Sequence, residues 1–540
     1  EDAHGTNVAI GYAALSVQDA GADAFNTAVG YQAGISVSTG VYNTLVGGLA
    51  GDALTTGNDN IAVGVNALST EDAHGRNVAI GRDALKLQNA GADAYNTAVG
   101  YVAGANVTTG VKNTLIGGQA GDALTIGNNN IAIGHKALST SVDGDENVAI
   151  GYLALEDYED GDGNGHNTAV GARSQREATT GEFNTSLGSL SMGSGVTTGD
   201  YNTALGAEAG KALTSGGLNT LVGGKAGDAL TEGDNNVALG YLALSAETLG
   251  DRNVAIGNSA LGVQNNTSDV DSYNVAVGHT AGAAVTTGVR NVLVGSLAGK
   301  ALQTANYNVA IGHDALKTNI DGDNNTALGY KALEDYEADA DGHGSNTAIG
   351  ANAMLNATTG TANTALGAEA MGSGVTTGNH NTALGYKAGE DIVNGHSNVL
   401  VGSFAGNAVN SGIQNTAVGY DSLFTNQDGD GNVAVGTAAL YTLEPADGLS
   451  YNTAVGYSAG KLMSTAVNNT LIGGLAGDAI TTGNSNVALG YDSLGSNTIG
   501  NTNIAIGHLA LTTNVAADRN VAIGAFALQN MTSATTVDTY

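Results

Sequence analysis

The side chains of this chain best placed for chemistry are aspartates two residues apart in glycine-containing turns. They occur in "VDGDEN" (142–147), "IDGDNN" (320–325) and "QDGDGN" (427–432), pairing Asp143 with Asp145, Asp321 with Asp323 and Asp428 with Asp430. Hard cations such as Ca2+ take several oxygen ligands, and a D-x-D loop offers two carboxylates together with backbone carbonyls. Asp160 and Asp162, in the acidic segment "EDYEDGDGNGH" (156–166), stand one repeat further on and are placed to complete the first of these sites. The twelfth-position glutamate and flanking helices of an EF-hand are missing, and Asp-Gly is also ordinary turn chemistry on a solvated surface. Calcium ligation and plain turns are thus two readings of the same residues.

Other chemistry finds little support. His135, His279, His313 and His508 share one column of the repeat described below, but they lack the i, i+4 or Cys-paired spacing of a zinc site. No nucleophile has a base at a defined offset. The glycines follow the repeat and form no phosphate-loop or dinucleotide fingerprint. The chain is expected not to be an enzyme and to use no cofactor beyond Ca2+.

Composition explains what has to position these turns. Among 540 residues there are 83 Gly, one Pro, no Cys and no Trp, and 12% are charged, a uniformity that points to a repeat architecture. The net charge of -33 argues against nucleic acid or anionic membranes as partners. No run of about 18 apolar residues is present, so no membrane contact is expected within this segment. The opening "EDAHGTN" is no signal peptide; it recurs as "EDAHGRN" at 71–77, so the chain opens in mid-pattern and is expected to be a piece of something longer.

The repeat is an N-x-x-x-G unit that occurs 30 times between Asn7 and Asn520, mostly 17 residues apart. Counting the Asn as position zero, +1 is Thr, Val or Ile, +3 is Val, Ile or Leu, +4 is always Gly and +7 is Ala or Ser. Such a unit makes one short strand ended by a tight turn, then a second apolar stretch near +7, +8 and +11. It is too short to bury its own apolar face and too interrupted for a helix, so it must stack on its neighbours. The expected fold is all-β: a parallel β-solenoid with one turn per unit, continuous over residues 1–540. At about 4.8 Å per rung, a rod of roughly 140 Å would result. Whole blocks are duplicated, 1–70 with 71–140 and 147–252 with 325–431. Insertions such as "SVQDAGADAF" (16–25) and "EDYEADADGHGS" (334–345) fall at one corner and are expected to form a row of bumps.

Three columns raise questions of function. The Asn column reads either as a ladder of amides along the axis or as a regular row that binds a repetitive ligand. Ten Tyr stand at +5, which makes either an amphipathic shoulder or a platform for sugar rings or a partner protein. Position +2 is Ala in 23 units, Leu in six and Ser in one. With +1 and +3 assigned to the interior, +2 faces outward, and an outer face of Ala implies cover by another copy of the chain. A homo-oligomer packed through Ala79, Ala98, Ala132 and their equivalents is the expectation.

The motifs "NVAIG", "NTAVG" and "NTALG" followed by "xxA" resemble the head repeats of YadA-like trimeric autotransporter adhesins, and related repeats of bacteriophage tail fibres and other long bacterial surface proteins. The resemblance covers essentially the whole chain, although that family commonly uses shorter units. It implies a left-handed parallel β-roll, a homotrimer, and an extracellular place on a cell surface or virion appendage. The function it implies is the structural shaft of a fibre that mediates adhesion or attachment, with a phage tail-fibre shaft as the alternative. A surface receptor, glycan or matrix protein would be the partner. An ice- or crystal-binding solenoid would need Thr arrays on consecutive rungs, and "TTG" is scattered. A polysaccharide hydrolase would need acids clustered on rung faces, and here they sit in turns.

Overall fold

The structure, a computed structural model, describes residues 6–159, 165–337, 343–445 and 448–532. It is a parallel β-solenoid of about 30 turns, and no helix occurs among the described residues. The chain forms two compact units, residues 1–273 and 274–540. Each contains fifteen of the three-residue strands expected at +1 to +3, from Val8–Ile10 to Val254–Ile256 in the first and from Val275–Val277 to Val521–Ile523 in the second. Within each unit successive strands pair in parallel and strictly in register, as in Thr97↔Thr114, Ala98↔Leu115 and Val99↔Ile116.

The Asn column is a buried ladder. The side-chain oxygen of each Asn accepts the backbone N–H of the Asn one rung on, as Asn26 does from Asn43 at 2.8 Å. Its amide nitrogen donates to the carbonyl fourteen residues ahead, as in Asn26 to Gly40 at 2.8 Å. In most rungs both ends of the amide are thereby satisfied in an interior where an unmet polar group costs about 1–3 kcal/mol; the amide nitrogens of Asn77 and Asn147 are buried without a partner. Asn43, Asn60 and Asn113 are fully buried, so this row offers nothing to a ligand, and the ladder reading holds. The left-handed backbone positions lie elsewhere, at -1, +6 and often +8, as in Tyr42, Leu49 and Leu68.

The orientation of the strand is the reverse of the expected one. Ala28, Leu45, Ala79, Ala98 and Ala132 at +2 are completely buried within the chain itself, whereas +1 and +3 are half-buried or exposed. A turn of 17 residues encloses so thin an interior that its strand has room for one inward residue, and that residue is usually Ala. The expectation that Ala at +2 forms an intermolecular contact is therefore wrong: it fills the core.

In the 17-residue rungs the core also trades volume between +8 and +11; the longer rungs from Asn147, Asn325 and Asn432 hold Leu at +8 together with Tyr158, Tyr336 or Leu443 at +11. Where +8 is Leu, as at Leu68, Leu138, Leu316 and Leu494, position +11 is Glu71, Ser141, Asn319 and Asn497. Where +8 is Gly, +11 is aliphatic, and only these rungs carry Leu at +2: Leu45 accompanies Gly51 and Leu54, and Leu115 accompanies Gly121 and Leu124. The space is full, because a Cβ on Gly104 would stand 2.6 Å from the Leu115 side chain. Close packing of this kind tolerates neither an added nor a missing methylene without cost.

Candidate functional site

The Asp-Gly turns lie at +13 and +15 of their rungs. Asp145 Oδ1 accepts the backbone N–H of Asn128, Asp323 Oδ1 accepts that of Asn306 at 2.7 Å, and Asp430 Oδ1 accepts that of Ile413 at 2.8 Å. The second aspartate of each pair thus links one rung to the one before it. Asn58 and Asn128 do the same at +15 with an amide oxygen, to Val41 and Val111, so this task needs an acceptor and not a charge. Of the first aspartates, Asp428 accepts from the Ser411 hydroxyl, Asp321 is half-buried, and Asp143 has a buried Oδ1 with no hydrogen-bond partner. The structure brings none of these six into a group of three ligand-bearing side chains among the described residues. Asp160 and Asp162 lie outside the described residues.

Calcium at these turns has a plain signature. A melting curve in millimolar Ca2+ is expected to rise above one in NaCl of equal ionic strength, because specific binding to the folded state stabilises by mass action. Asp143→Asn, which removes the unpartnered carboxylate of one of the three turns, is expected to shrink the difference. Equal curves for the two salts would mean that both merely screen the charge of -33, and the turns would be turns.

Two exposed columns of rings run from rung to rung. At +5, Tyr12 stacks on Tyr31 with centroids 5.5 Å apart. At -1, Phe25 stacks on Tyr42 at 5.7 Å, and Phe183 stacks on His166 at 4.7 Å and on Tyr201 at 5.0 Å. Arg76 and Arg290 cover Tyr95 and Tyr307 in the same -1 column. In these stacks each ring has at least one face against a neighbouring ring or guanidinium. The shoulder reading fits these stacks, whereas Tyr241 and Tyr457 are exposed with no ring beside them at +5; the -1 column was missed because its residue types vary.

The outer face of the strand ladder is the largest regular surface that sequence reasoning misplaced. Ile116, Leu205 and Leu328 at +3 are 37%, 40% and 42% exposed. No rung has a charged residue at +1 or +3. Parallel sheets are ordinarily covered on both faces; here the chain's own core covers one.

One cluster was overlooked. Glu71, Asp72 and His74 have ligand atoms within 4.8 Å of one another, the one such group of three among the described residues. Burial, foremost, pushes the Glu71 carboxyl up to about 7; the charges of Asp72 and Asp93 add to this, while the His74 N–H opposes it. A sequence signal existed: Glu71 and Glu247 are the only carboxylates at +11 in the 30 rungs. Burial likewise raises the carboxyls of Asp52, Asp122, Asp228 and Asp478 at +9 above their ordinary value, without gathering them into a site. No family model and no curated protein matches this chain.

Proposed function

We propose that the chain is the shaft of an extracellular fibre built from several parallel copies, each covering the outer sheet face of its neighbour. The observation that carries this reading is the uncovered face itself: Val, Ile or Leu at +3 in every rung and no charge at +1 or +3, on a chain whose net charge is -33. An uncharged face with an aliphatic residue at +3 of every rung and Thr, Val or Ile at +1 marks an interaction site. A copy of the chain is the occupant best matched to it. It has the same rise per rung, so its side chains stay in step from rung to rung, and it meets the face where two strongly acidic molecules bring no like charges together.

The resemblance to YadA-like head repeats adds three copies, a left-handed roll and a role in adhesion on a bacterial surface. A phage tail-fibre shaft is the alternative with the same architecture. Neither role requires catalysis, and the stacked rings, buried amide ladder and closed core are what a mechanical element needs. The test is the mass in solution: a multiple of the 53.2 kDa chain supports the reading, three-fold for the trimer, and a single chain overturns it.

A further inference from the structure

Glu71 occupies a place where the fold supplies its own controls. It lies at +11 of the rung that begins at Asn60, completely buried. At the same place in other rungs, Asn319 and Asn426 close the corner on themselves. The Asn319 side-chain oxygen accepts the N–H of Gly322 at 3.0 Å and its amide donates to the Gly322 carbonyl at 2.7 Å; Asn426 does the same with Gly429 at 3.1 and 2.9 Å. A carboxylate cannot do both, since it only accepts.

Glu247, the other carboxylate at +11, shows what the corner needs when an acid sits there. Its Oε1 accepts the backbone N–H groups of Thr248, Leu249, Gly250 and Asn266 at 2.8 to 3.2 Å. Its Oε2 accepts from the side chains of Gln264 at 2.8 Å and Asn266 at 2.9 Å. Glu71 has little of this support. Its Oε1 accepts the His74 N–H at 3.2 Å, the Asp72 backbone N–H also favours its charged form, and its buried Oε2 has no partner. The buried Nδ1 of His74 has no hydrogen-bond partner either, and it stands 3.9 Å from Glu71 Oε1, too far for a hydrogen bond. Asp72, exposed on the same corner, completes the group.

We propose that Glu71, Asp72 and His74 form a binding site for a divalent cation of the zinc type. One imidazole with two carboxylates is a donor set for Zn2+ and its first-row neighbours rather than for Ca2+, which takes oxygen alone. An ion with bonds of about 2.1 Å holds its donors roughly 3.4 Å apart in a tetrahedron. The 4.8 Å span of the three ligand atoms therefore has to contract. Asp72 and His74 lie on an exposed and a half-exposed part of the corner and can turn inward, whereas Glu71 is held in the core. The ion would supply the positive partner that six donors supply to Glu247. This site is independent of the fibre reading, because it lies at a corner and not on the sheet face.

The test is zinc binding by the full chain after removal of metal with a chelator. The motif E-D-A-H-G also opens the chain at Glu1, so the readout is the difference between wild type and variants rather than an absolute number. Glu71→Gln and His74→Asn are each expected to bind one Zn2+ fewer per chain, or to bind it at least about tenfold more weakly. Glu247→Gln is expected to match wild type, and millimolar Ca2+ is expected not to displace the zinc. Unchanged zinc binding in folded Glu71→Gln and His74→Asn overturns the proposal, as does displacement by Ca2+. Cobalt gives the same difference by spectroscopy: intense visible bands of a four-coordinate Co2+ site that weaken in Glu71→Gln support the proposal, and a spectrum unchanged by that substitution, or the pale spectrum of the hydrated ion in wild type, overturns it.

Discussion

Gly117→Ala is expected to lower stability by about 3 kcal/mol or more, while Gly118→Ala, one residue away, is expected to be neutral. Gly117 is the +4 residue of its rung, with φ at 138°. A side chain in that backbone region is strained by about 1–3 kcal/mol before any contact is counted. Its Cβ would also stand 2.6 Å from the carbonyl carbon of Gly134, the +4 residue of the next rung. Backbone cannot yield there, since Gly134 faces Gly151 in the same way. Gly118 lies outside the left-handed region, and a Cβ on it would meet only the His135 ring, at an ordinary 3.6 Å. In a linear array the damage is local to a rung and its two neighbours. Hydrogen exchange is the right measurement: amides of the rungs beginning at Asn96, Asn113 and Asn130 are expected to lose protection in Gly117→Ala and to keep it in Gly118→Ala. Equal protection in the two variants would mean that the invariant glycine is there for some reason other than this approach.

The same column shows how much of the fold was legible. Strict periodicity at Asn and Gly gave the solenoid, its strand positions and its turn count, because those columns answer to backbone geometry, which repeats identically at every rung. What periodicity could not give was which side of the strand faces in. Alternation at +1, +2 and +3 establishes that two residues point one way and one the other; assigning the larger pair to the core assumed an interior wide enough to hold them. In the 17-residue rungs the width is tied to the exchange between +8 and +11, a relation between two columns that no single column displays. Leu45 with Gly51 and Ala62 with Leu68 fill the same space in opposite ways, and only the space itself makes the pairs intelligible. Glu71 was missed for a related reason. It was visible as part of a repeated "EDAHG", but nothing in that string says that its first residue is buried and the next is not.

Correcting the orientation changes which substitutions separate the proposed assembly from the fold. Ala98 at +2 is completely buried in its own chain, and a glutamate there would place an unpaired charge in the core at a cost of several kcal/mol. Ala98→Glu is therefore expected to disrupt its own rung and the two beside it, which reports on the rung and says nothing about copies. The informative positions are Val99, Ile116 and Ile133, successive +3 residues on the outer face. Their side chains already reach solvent in the single chain, Ile116 being 37% exposed, so lysine can stand there without disturbing the core. Buried at a contact between copies, the same three lysines would face one another without acidic partners, since no rung carries a charge at +1 or +3. The triple variant Val99→Lys, Ile116→Lys, Ile133→Lys is expected to keep the β-sheet circular dichroism of the parent and to dissociate at concentrations where the parent stays assembled, with the mass falling toward the 53.2 kDa of one chain. The copies still meet along the remaining rungs, so dissociation is expected to shift by at least tenfold in concentration rather than to become complete. Placing lysines at the exposed +5 residues Tyr101 and Tyr152, off the sheet face, is expected to leave the mass unchanged. If the +3 variant keeps the parent's mass at every dilution, the outer face is not where the copies meet, and a parallel sheet with one bare apolar side needs a different cover.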